Sequence, residues 1–281
     1  MNRHSMIATV LGGAATLCCF SMMATSASAQ SLGSSWTYRY DAFGDGSGGS
    51  AFDIKGMAMR DTGDRLFVAF TGGASITGVS YSGAADGNIG WGDLFFNFSG
   101  KNFKEAEATG QLFGVRFAGT NDSNVATGVY SGVKTTSVTG QNSGYSSLQQ
   151  YYDYGWGKAN TQGTALSTQA AASNYYGTGA IQTSIASGTK VADIATLFGA
   201  DLSATGLRFQ NAGSQTFGFS FAKSALPTGN FLASIFMECG NDGMAYSASA
   251  VPEPTTMAGV ALAGAGLAAY RRRRNKSAKS A

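Results

Sequence analysis

Three groups of side chains with oxygen ligands lie in glycine-rich segments of this chain. They are Asp41, Asp45 and Asp53, then Asp86, Asn88 and Asp93, and then Asn121, Asp122 and Asn124. Calcium takes about six to eight hard oxygen ligands, and flexible loops can supply them. The spacing matches neither the EF-hand loop nor the glycine-rich aspartate repeat of calcium-binding β-helices. Because Asp, Asn and Gly also form ordinary tight turns, turn formation is the favoured interpretation. If calcium is a cofactor, Asp86, Asn88 and Asp93 are the first candidates to bind it.

A group of aromatic residues lies in a polar stretch of the second half of the chain. Its members are Tyr145, Tyr151, Tyr152, Tyr154, Trp156, Tyr175 and Tyr176. Exposed rings can stack on sugars, and exposed apolar patches mark interaction sites. Along any strand, however, side chains alternate between two faces, so half of the rings would point inward. Core packing is therefore favoured over a glycan-stacking site, for which Tyr151, Tyr152, Tyr154 and Trp156 are the candidates.

Paired carboxylates of the kind that a glycosidase needs are scarce. Before residue 251, the chain contains only three glutamates, Glu105, Glu107 and Glu238. Glu105 and Glu107 lie close to Lys101 and Lys104 in the sequence, and we expect a solvated hairpin with ion pairs rather than the spacing of catalytic carboxylates.

The histidine and cysteine content excludes several kinds of catalysis. The chain has one histidine, His4, near its N-terminus, so the rest of the chain cannot form a Ser-His-Asp or Cys-His site or a histidine-ligated metal site. Cys239 is the only cysteine beyond residue 19, and its apolar neighbours favour a buried, inert thiol over one that pairs with another molecule. No nucleotide-binding loop or nucleophile elbow is present. We therefore expect a protein that is not an enzyme.

The N-terminal segment has the features of a secretory signal peptide. A basic start with Arg3 precedes an apolar core at residues 7–20, and small residues follow at Ala27 and Ala29. This pattern predicts cleavage before Gln30. A retained N-terminal anchor is the alternative, although glycines and Ser21 shorten the apolar core.

The C-terminal segment combines a proline-rich box, an apolar stretch at residues 257–270 and a basic cluster. The box is Val251, Pro252, Glu253 and Pro254, and the basic cluster is Arg271, Arg272, Arg273 and Arg274. The excess of arginine predicts that this end stays on the cytoplasmic side of a membrane. Each proline lacks an N–H and restricts the residue before it, so the box should be extended.

This order of segments resembles the PEP-CTERM sorting signal. The resemblance implies recognition by an exosortase, a membrane-embedded cysteine transpeptidase that cuts near the Pro-Glu-Pro sequence. As a helix, residues 257–270 would reach only about 21 Å, whereas the hydrocarbon core is about 30 Å thick. Bilayer thinning and snorkelling arginines can accommodate the shorter span. The alternative is an unprocessed tail on the membrane surface.

These two ends divide the chain into residues 1–29, 30–250 and 251–281. The whole chain has a formal charge of +3, but residues 30–250 carry 12 basic and 15 acidic side chains, a net charge of −3. The basic excess therefore belongs to the targeting segments, and nucleic-acid binding is not expected of the exported part.

Residues 30–250 have the pattern of a single all-β domain, a two-layer β-sandwich with one short helix. Aromatic residues alternate at Phe217, Phe219 and Phe221, and a similar alternation covers residues 113–117, so each set should face a second sheet. Residues 66–70, 94–98 and 231–237 are apolar on both faces and predict central strands. The helix is predicted at residues 190–198, ending at Gly199. Residues 140–188 are expected to form loops and short edge strands, or to be disordered.

Four segments also resemble the XDD-type exosortase-dependent surface proteins. They are DAFGDG at residues 41–46, YSGAADGNIGWGDLFFNF at 81–98, FAGTNDS at 117–123 and ECGND at 238–242. The resemblance implies export and sorting but no enzymatic reaction. We therefore expect a non-enzymatic protein of the cell surface or the extracellular matrix, such as that of a biofilm. Its expected partners are the secretion machinery, an exosortase and, transiently, the membrane. A module that binds extracellular polysaccharide is the alternative, and a histidine-free hydrolase is a third hypothesis.

Overall fold

The computed structural model describes residues 30–42, 44–155, 162–163 and 165–250. Within them, the larger of two main sheets has seven strands. In spatial order they are β1 (Gln30–Ser31), β14 (Gly243–Ala250), β13 (Gly229–Phe236), β7 (Leu94–Asn97), β8 (Leu112–Arg116), β9 (Gly128–Thr136) and β10 (Ser184–Ala192). β1 pairs in parallel with β14, and the other pairs in this sheet are antiparallel.

The smaller main sheet has five antiparallel strands. In spatial order they are β11 (Ile194–Leu197), β12 (Gln215–Ala222), β4 (Arg65–Gly72), β3 (Ile54–Asp61) and β2 (Thr37–Tyr40). A short pair of strands, β5 (Val79–Ser80) and β6 (Asn88–Ile89), lies in the connection that leads to β7.

The two main sheets pack face to face through aromatic side chains. Phe217, Phe219 and Phe221 of β12 are almost fully buried, as their alternation predicts. Phe117, which follows β8, stacks on Phe219 with ring centroids 5.0 Å apart, and Phe96 of β7 meets Phe221 edge to face at 6.4 Å. The prediction of a mainly β, sandwich-like fold is therefore confirmed.

The strands that are apolar on both faces occupy the interior of the sheets, as predicted. β4 is the middle strand of the five, β7 is the middle strand of the seven, and β13 lies beside β7. Both faces of each are covered, since one contacts the opposite sheet and the other contacts helices or loops. In β4, for example, Phe70 belongs to the core between the sheets, whereas Ala69 packs with Leu202 on the outer face.

Four short helices lie among the described residues, where the sequence predicts one. They are α1 (Phe103–Ala108), α2 (Leu148–Tyr154), α3 (Gln169–Tyr176) and α4 (Gly199–Ala204). Two single turns of 3-10 helix cover Ser50–Phe52 and Lys223–Ala225. Side chains of α1 and α2 contribute to apolar clusters outside the core between the sheets, and Leu202 of α4 packs on the outer face of the five-stranded sheet.

The prediction of a helix at residues 190–198 is wrong. This segment forms the end of β10 and all of β11, with Lys190 paired to Tyr130 and Ile194 paired to Phe221. Its apolar residues have helical spacing, but pairing with two sheets satisfies the backbone hydrogen bonds of the segment. Gly199, expected to end a helix, instead begins α4.

The prediction of loops and edge strands for residues 140–188 is correct only in part. β10 is an edge strand, but the segment also contains α2 and α3. Ser147 and Thr168 cap these helices, since their hydroxyl oxygens accept hydrogen bonds from the Gln150 and Ala171 amides. Such capping satisfies donors that a short helix otherwise leaves free.

Glu105 and Glu107 lie on α1 rather than in the predicted hairpin. Asn102 caps this helix by accepting a hydrogen bond from the Glu105 amide at 2.9 Å. Glu107 accepts hydrogen bonds from the amide and hydroxyl of Thr135 on β9. In the described residues, neither glutamate forms an ion pair with Lys101 or Lys104.

None of the helices in the described ranges is long and apolar enough to span a membrane. The predicted sorting helix at residues 257–270 lies outside those ranges.

The aromatic contact between the sheets leads to a stability prediction. Replacing Phe219, which is fully buried against Phe117, by alanine should lower the free energy of unfolding by about 3–5 kcal/mol, because it leaves a cavity. Phe198→Ala is a matched control, since Phe198 is 48% exposed, and it should change stability by only about 0.5 kcal/mol. Urea unfolding followed by circular dichroism measures both values. Equal losses for the two variants would contradict this account of the core.

Candidate functional site

Three carboxylates converge at one end of the sandwich. Asp41, Asp45 and Asp242 each place an oxygen within 4.8 Å of the other two, and the three residues are between 0% and 6% exposed. Asp53, also buried, acts electrostatically on Asp41 and Asp242. We call these four residues the acidic centre. The acidic centre contains one candidate calcium group of the sequence, Asp41, Asp45 and Asp53, together with Asp242, which is distant from that group in the sequence but close to it in the structure.

Two connections, one from each sheet, form the acidic centre. Residues 41–53 connect β2 to β3 in the five-stranded sheet, and Asp242 lies in the turn between β13 and β14 of the seven-stranded sheet. The Ser47 amide donates a hydrogen bond to the Asn241 carbonyl oxygen at 2.9 Å, which fastens the two connections together. Residue 46 must be glycine, because a Cβ there would lie 2.8 Å from the Asp53 Cα atom.

Backbone amides orient the carboxylates of the acidic centre. The amides of Ile54 and Gly243 donate to the two oxygens of Asp242 at 2.6 and 2.7 Å. The Ala42 amide donates to Asp41 Oδ1 at 2.9 Å. The Gly44 amide donates to Asp53 Oδ1 at 3.0 Å. These donors hold the oxygens in place without contributing a full positive charge.

Burial and mutual repulsion make the ionised form of this centre costly. Burial, and then the charge of Asp45, raise the pKa of Asp41 well above its usual range. Burial, followed by the charges of Asp41 and Asp45, does the same to the pKa of Asp242. Because burial and like charges disfavour ionisation, Asp41 and Asp242 hold protons more readily than ordinary aspartates, and a cation would oppose this effect.

A second buried polar network surrounds Asp93. Asp93 Oδ1 accepts a hydrogen bond from Asn121 Nδ2 at 2.8 Å, and Oδ2 accepts hydrogen bonds from the Ile185 amide and the Ser123 hydroxyl. Burial raises the pKa of Asp93 to about 6, although the hydrogen bonds from Ser123, Asn121 and Ile185 oppose this shift. Both oxygens of Asp93 are therefore already bound by protein donors.

The other members of the Asp93 group have local roles. Asp86 is exposed, and its Oδ1 accepts a hydrogen bond from the Asn88 amide at 2.9 Å, which is typical of an Asx turn. These contacts favour turn formation for Asp86 and a structural role for Asp93. Calcium binding by Asp86, Asn88 and Asp93 stays a prediction.

The third candidate group lies in the loop between β8 and β9, beside Asp93. Asn121 Oδ1 accepts a hydrogen bond from Arg116 Nε at 2.7 Å, which orients its amide toward Asp93. Asp122 Oδ2 accepts from Asn142 Nδ2 at 2.9 Å. The amide of Asn124 donates to the Ile185 carbonyl oxygen. These contacts join the loop to β10 and to the segment that precedes α2.

Glu238, in the turn between β13 and β14, also belongs to the second network. Its two carboxylate oxygens accept hydrogen bonds from the Gly90 amide at 2.8 Å and the Asp122 amide at 2.5 Å. Burial raises the pKa of Glu238 to about 7, and the charges of Asp122 and Asp93 act in the same direction. The next residue, Cys239, is a free and fully buried thiol, as predicted. Burial raises its pKa to about 12.

The tyrosine group packs mainly against the fold. Tyr151 on α2 is fully buried, and its ring centroid lies 5.5 Å from that of Tyr145 and 5.6 Å from that of half-buried Tyr152. Tyr176 on α3 packs against Phe236 at 5.0 Å. Only Tyr154 of the described glycan candidates is strongly exposed, at 76%, and Trp156 lies outside the described residues. The geometry favours core packing over a sugar-stacking surface.

The predicted processing residues lie almost entirely outside the described ranges. They are Ala27 and Ala29 at the N-terminal end, and Val251, Pro252, Glu253, Pro254, Arg271, Arg272, Arg273 and Arg274 at the C-terminal end. Gln30, the predicted first residue after cleavage, begins β1, and the last residue of β14 is Ala250.

Sequence reasoning did not connect Asp242 with the first aspartate group. The segment DAFGDG contains Asp41 and Asp45, and the segment ECGND ends at Asp242. Both segments contribute to the XDD-type resemblance, which was the available signal. The spacing of the two segments in the sequence does not indicate that they meet. Their contact arises only when the two sheets pack together, because each segment lies in a connection of a different sheet.

The raised pKa of Glu238 predicts a pH dependence of stability. Between about pH 4.5 and pH 7, the folded protein holds a proton on Glu238 that the unfolded chain has released. The free energy of unfolding contributed by this group should therefore fall as the pH rises through that window, by up to about 3 kcal/mol. Urea unfolding at pH 4.5, 6 and 7.5 should show the wild type losing stability relative to Glu238→Gln, which has no proton to release, as the pH rises. A difference that is constant across the three pH values would contradict the prediction.

Comparison with known proteins identifies one segment of the chain. The family model of the PEP-CTERM protein-sorting motif matches residues 250–274. No curated protein and no solved structure matches the chain. The chain thus carries a PEP-CTERM sorting signal directly after β14, as its C-terminal residues predict.

Proposed function

We propose that this protein acts, without enzymatic activity, at the cell surface or in the extracellular matrix, through the structure or the binding properties of its β-sandwich. The observation that carries the proposal is the sorting motif at residues 250–274. This motif marks the chain as an exported protein that is processed by an exosortase and has a membrane-associated precursor. Its final location and its molecular role are the parts that we propose.

The ends of the described sandwich are suited to processing on both sides. Gln30 pairs with Ala248, and Ser31 pairs with Ser249, so the start of β1 lies beside the end of β14. The two predicted cleavage positions therefore adjoin the same corner of the seven-stranded sheet. Cleavage at either position would leave every described strand intact.

The residue inventory supports a role that is not enzymatic. Residues 30–250 contain no histidine, and the closely spaced carboxylates of the acidic centre are buried from solvent. Glu105 and Glu107 lie on the short helix α1, where Glu107 binds Thr135. A histidine-free hydrolase is the third hypothesis, and activity in a broad hydrolase screen would favour it.

The proposed processing predicts two new chain ends. In the native host, mass spectrometry of surface-extracted protein should find an N-terminus at Gln30 and a C-terminus near Pro252, Glu253 or Pro254. Replacing these last three residues by alanine should leave the protein uncut in the membrane fraction, because the extended box is lost. Replacing Thr255 and Thr256 by alanine is the matched control and should permit processing. Surface protein that still carries residues 271–281 would contradict the proposal.

Carbohydrate binding is a second candidate function, and one surface groove favours it. An open groove of about 370 Å³ runs beside β2, and its lining includes Trp36, Tyr38 and Arg60. Trp36 and Arg60 each donate a hydrogen bond to the Thr205 carbonyl oxygen, at 3.1 and 2.7 Å. These bonds fix the two side chains, so that the half-buried rings offer a stacking surface while the exposed hydroxyls of Ser34 and Ser35 in the same lining can bind sugar oxygens.

This second function predicts that one side chain controls polysaccharide binding. Affinity electrophoresis in gels containing the polysaccharide of the host should show retardation of the wild type and loss of retardation for Trp36→Ala. Tyr81→Ala, which removes a ring that is 44% exposed elsewhere on the surface, should migrate like the wild type. Equal migration of all three proteins with and without polysaccharide would rule out the groove as a sugar site.

A further inference from the structure

We propose that the acidic centre binds a divalent cation of the calcium class, with Asp41, Asp45 and Asp242 as carboxylate ligands. The three residues direct one oxygen each into a common volume, within 4.8 Å of one another. A single ion among these oxygens would be bound by both connections that form the centre. This inference concerns the folded sandwich and does not depend on how the C-terminal tail is processed.

The chemistry of the donors selects the class of ion. All three proposed side-chain ligands are carboxylates, which are hard oxygen donors that suit calcium, magnesium and manganese. No histidine is present in residues 30–250, so the nitrogen ligands that zinc and copper favour are lacking. The ligands come from irregular connections, and calcium tolerates variable geometry better than magnesium, which requires a near-ideal octahedron.

A second observation concerns buried polar atoms without partners, one on Asp41 and two on the neighbouring residue Gln162. Asp41 Oδ2 is buried and has no hydrogen bond of standard geometry among the described residues, although the nearby Gly163 amide lowers the pKa of this carboxyl. Gln162 is fully buried, and neither of its amide atoms has a hydrogen-bond partner in those residues. Its Oε1 lies 2.4 Å from the position of a Cβ at Gly243, whose amide binds Asp242. Buried polar atoms normally have partners, and an ion in the centre would supply one for Asp41.

A buried aspartate elsewhere in the sandwich shows how the protein compensates such a charge. Asp61 is 6% exposed and forms an ion pair with Lys223, itself 7% exposed, at 2.6 Å. The other ion pair of the described residues joins Lys190 to Asp193 on the surface. Neither pair involves Asp41 or Asp242. A buried charge is costly unless it is paired. A bound cation would supply Asp41 and Asp242 with a compensating positive charge, as the Lys223 ammonium group does for Asp61.

The position of the centre indicates what the ion does. The connection formed by residues 41–53 belongs to the five-stranded sheet, and the turn that contains Asp242 belongs to the seven-stranded sheet. The hydrogen bond from the Ile54 amide to Asp242 already joins residues 188 positions apart. A cation bound by both connections would clamp this end of the sandwich. Because it binds only the folded arrangement, it would stabilise the fold by linkage.

The experiment uses the full-length protein, purified in mild detergent, stripped with EGTA and desalted. Calcium chloride is titrated while thermal unfolding is followed by circular dichroism. At a hundredfold excess over Kd, the wild-type melting temperature should rise by about 5–10 °C. Terbium provides a direct binding probe, because the Tyr151 hydroxyl lies 3.4 Å from the Asp45 carbonyl oxygen and can sensitise its luminescence. Calcium should displace the terbium.

Asp41→Asn is the decisive variant. It keeps the shape of the side chain, and its Oδ1 can still accept the hydrogen bond from Ala42, but it removes one ligand charge. Calcium affinity should fall about tenfold or more, whereas the melting temperature in EGTA should equal or exceed that of wild type because repulsion is relieved. Asp45→Asn, measured in the same way, provides a second variant. Asp86→Asn, in an exposed turn, is the matched control and should keep the full calcium response.

Three results would overturn the proposal. Superimposable wild-type melting curves in calcium and EGTA, without terbium luminescence, would mean that the acidic centre binds no cation. A full calcium response in both Asp41→Asn and Asp45→Asn would place the ion elsewhere. Loss of the response in Asp86→Asn would assign it to the group of Asp86, Asn88 and Asp93.

Discussion

The contact between the two main sheets is the interaction on which the rest of the structure depends. Its centre is a cluster of phenylalanine rings, in which Phe117 stacks on both Phe70 and Phe219 with centroid distances of 5.3 and 5.0 Å. Burial of these rings removes a large apolar area from water, which is the main favourable contribution to folding. The same contact determines which residues of each strand face inward, and therefore how the connections meet at the ends of the sandwich.

The polar residues at one end of the sandwich are arranged around this apolar core. The acidic centre and the Asp93 network both use the turn between β13 and β14, which supplies Glu238 and Asp242. Backbone amides and the side chains of Asn121 and Ser123 bind the carboxylates of Asp93 and Glu238. The acidic centre differs, because oxygens of Asp41, Asp45 and Asp242 lie within 4.8 Å of one another and one buried oxygen of Asp41 has no hydrogen bond of standard geometry among the described residues. One end of the sandwich thus combines a hydrogen-bonded network with a cluster of buried carboxylates in which burial and like charges raise the pKa values of Asp41 and Asp242.

Export and fold are compatible in this chain because they use separate segments. The sorting motif begins at residue 250, where β14 ends, and β1 begins at the predicted cleavage position. The parallel pairing of β1 with β14 brings the two ends of the described domain together. The residues after β14, which carry the sorting motif, and those before β1 both lie outside the two sheets, so that processing at either end leaves the contact between the sheets in place.

The sequence by itself determined the features that depend on local pattern and on residue inventory. Alternating phenylalanines predict the buried face of β12, apolar runs predict the central strands, and the lack of histidine in residues 30–250 excludes whole classes of site. The C-terminal box and arginines identify the sorting signal. These inferences succeed because side-chain alternation, composition and short motifs are properties of neighbouring residues.

Only the tertiary structure decided the features that depend on distant residues. Residues 190–198 have helical spacing but form strands, because β9 and β12 offer backbone partners that local periodicity does not show. The helices α2 and α3 are too short to have a strong periodic signal, and they form where a capping residue and an apolar cluster coincide. Asp242 joins Asp41 and Asp45 only after two sheets have packed and brought their connections together. No local pattern encodes that contact, since its geometry is set by strand pairing and by the packing of the two sheets.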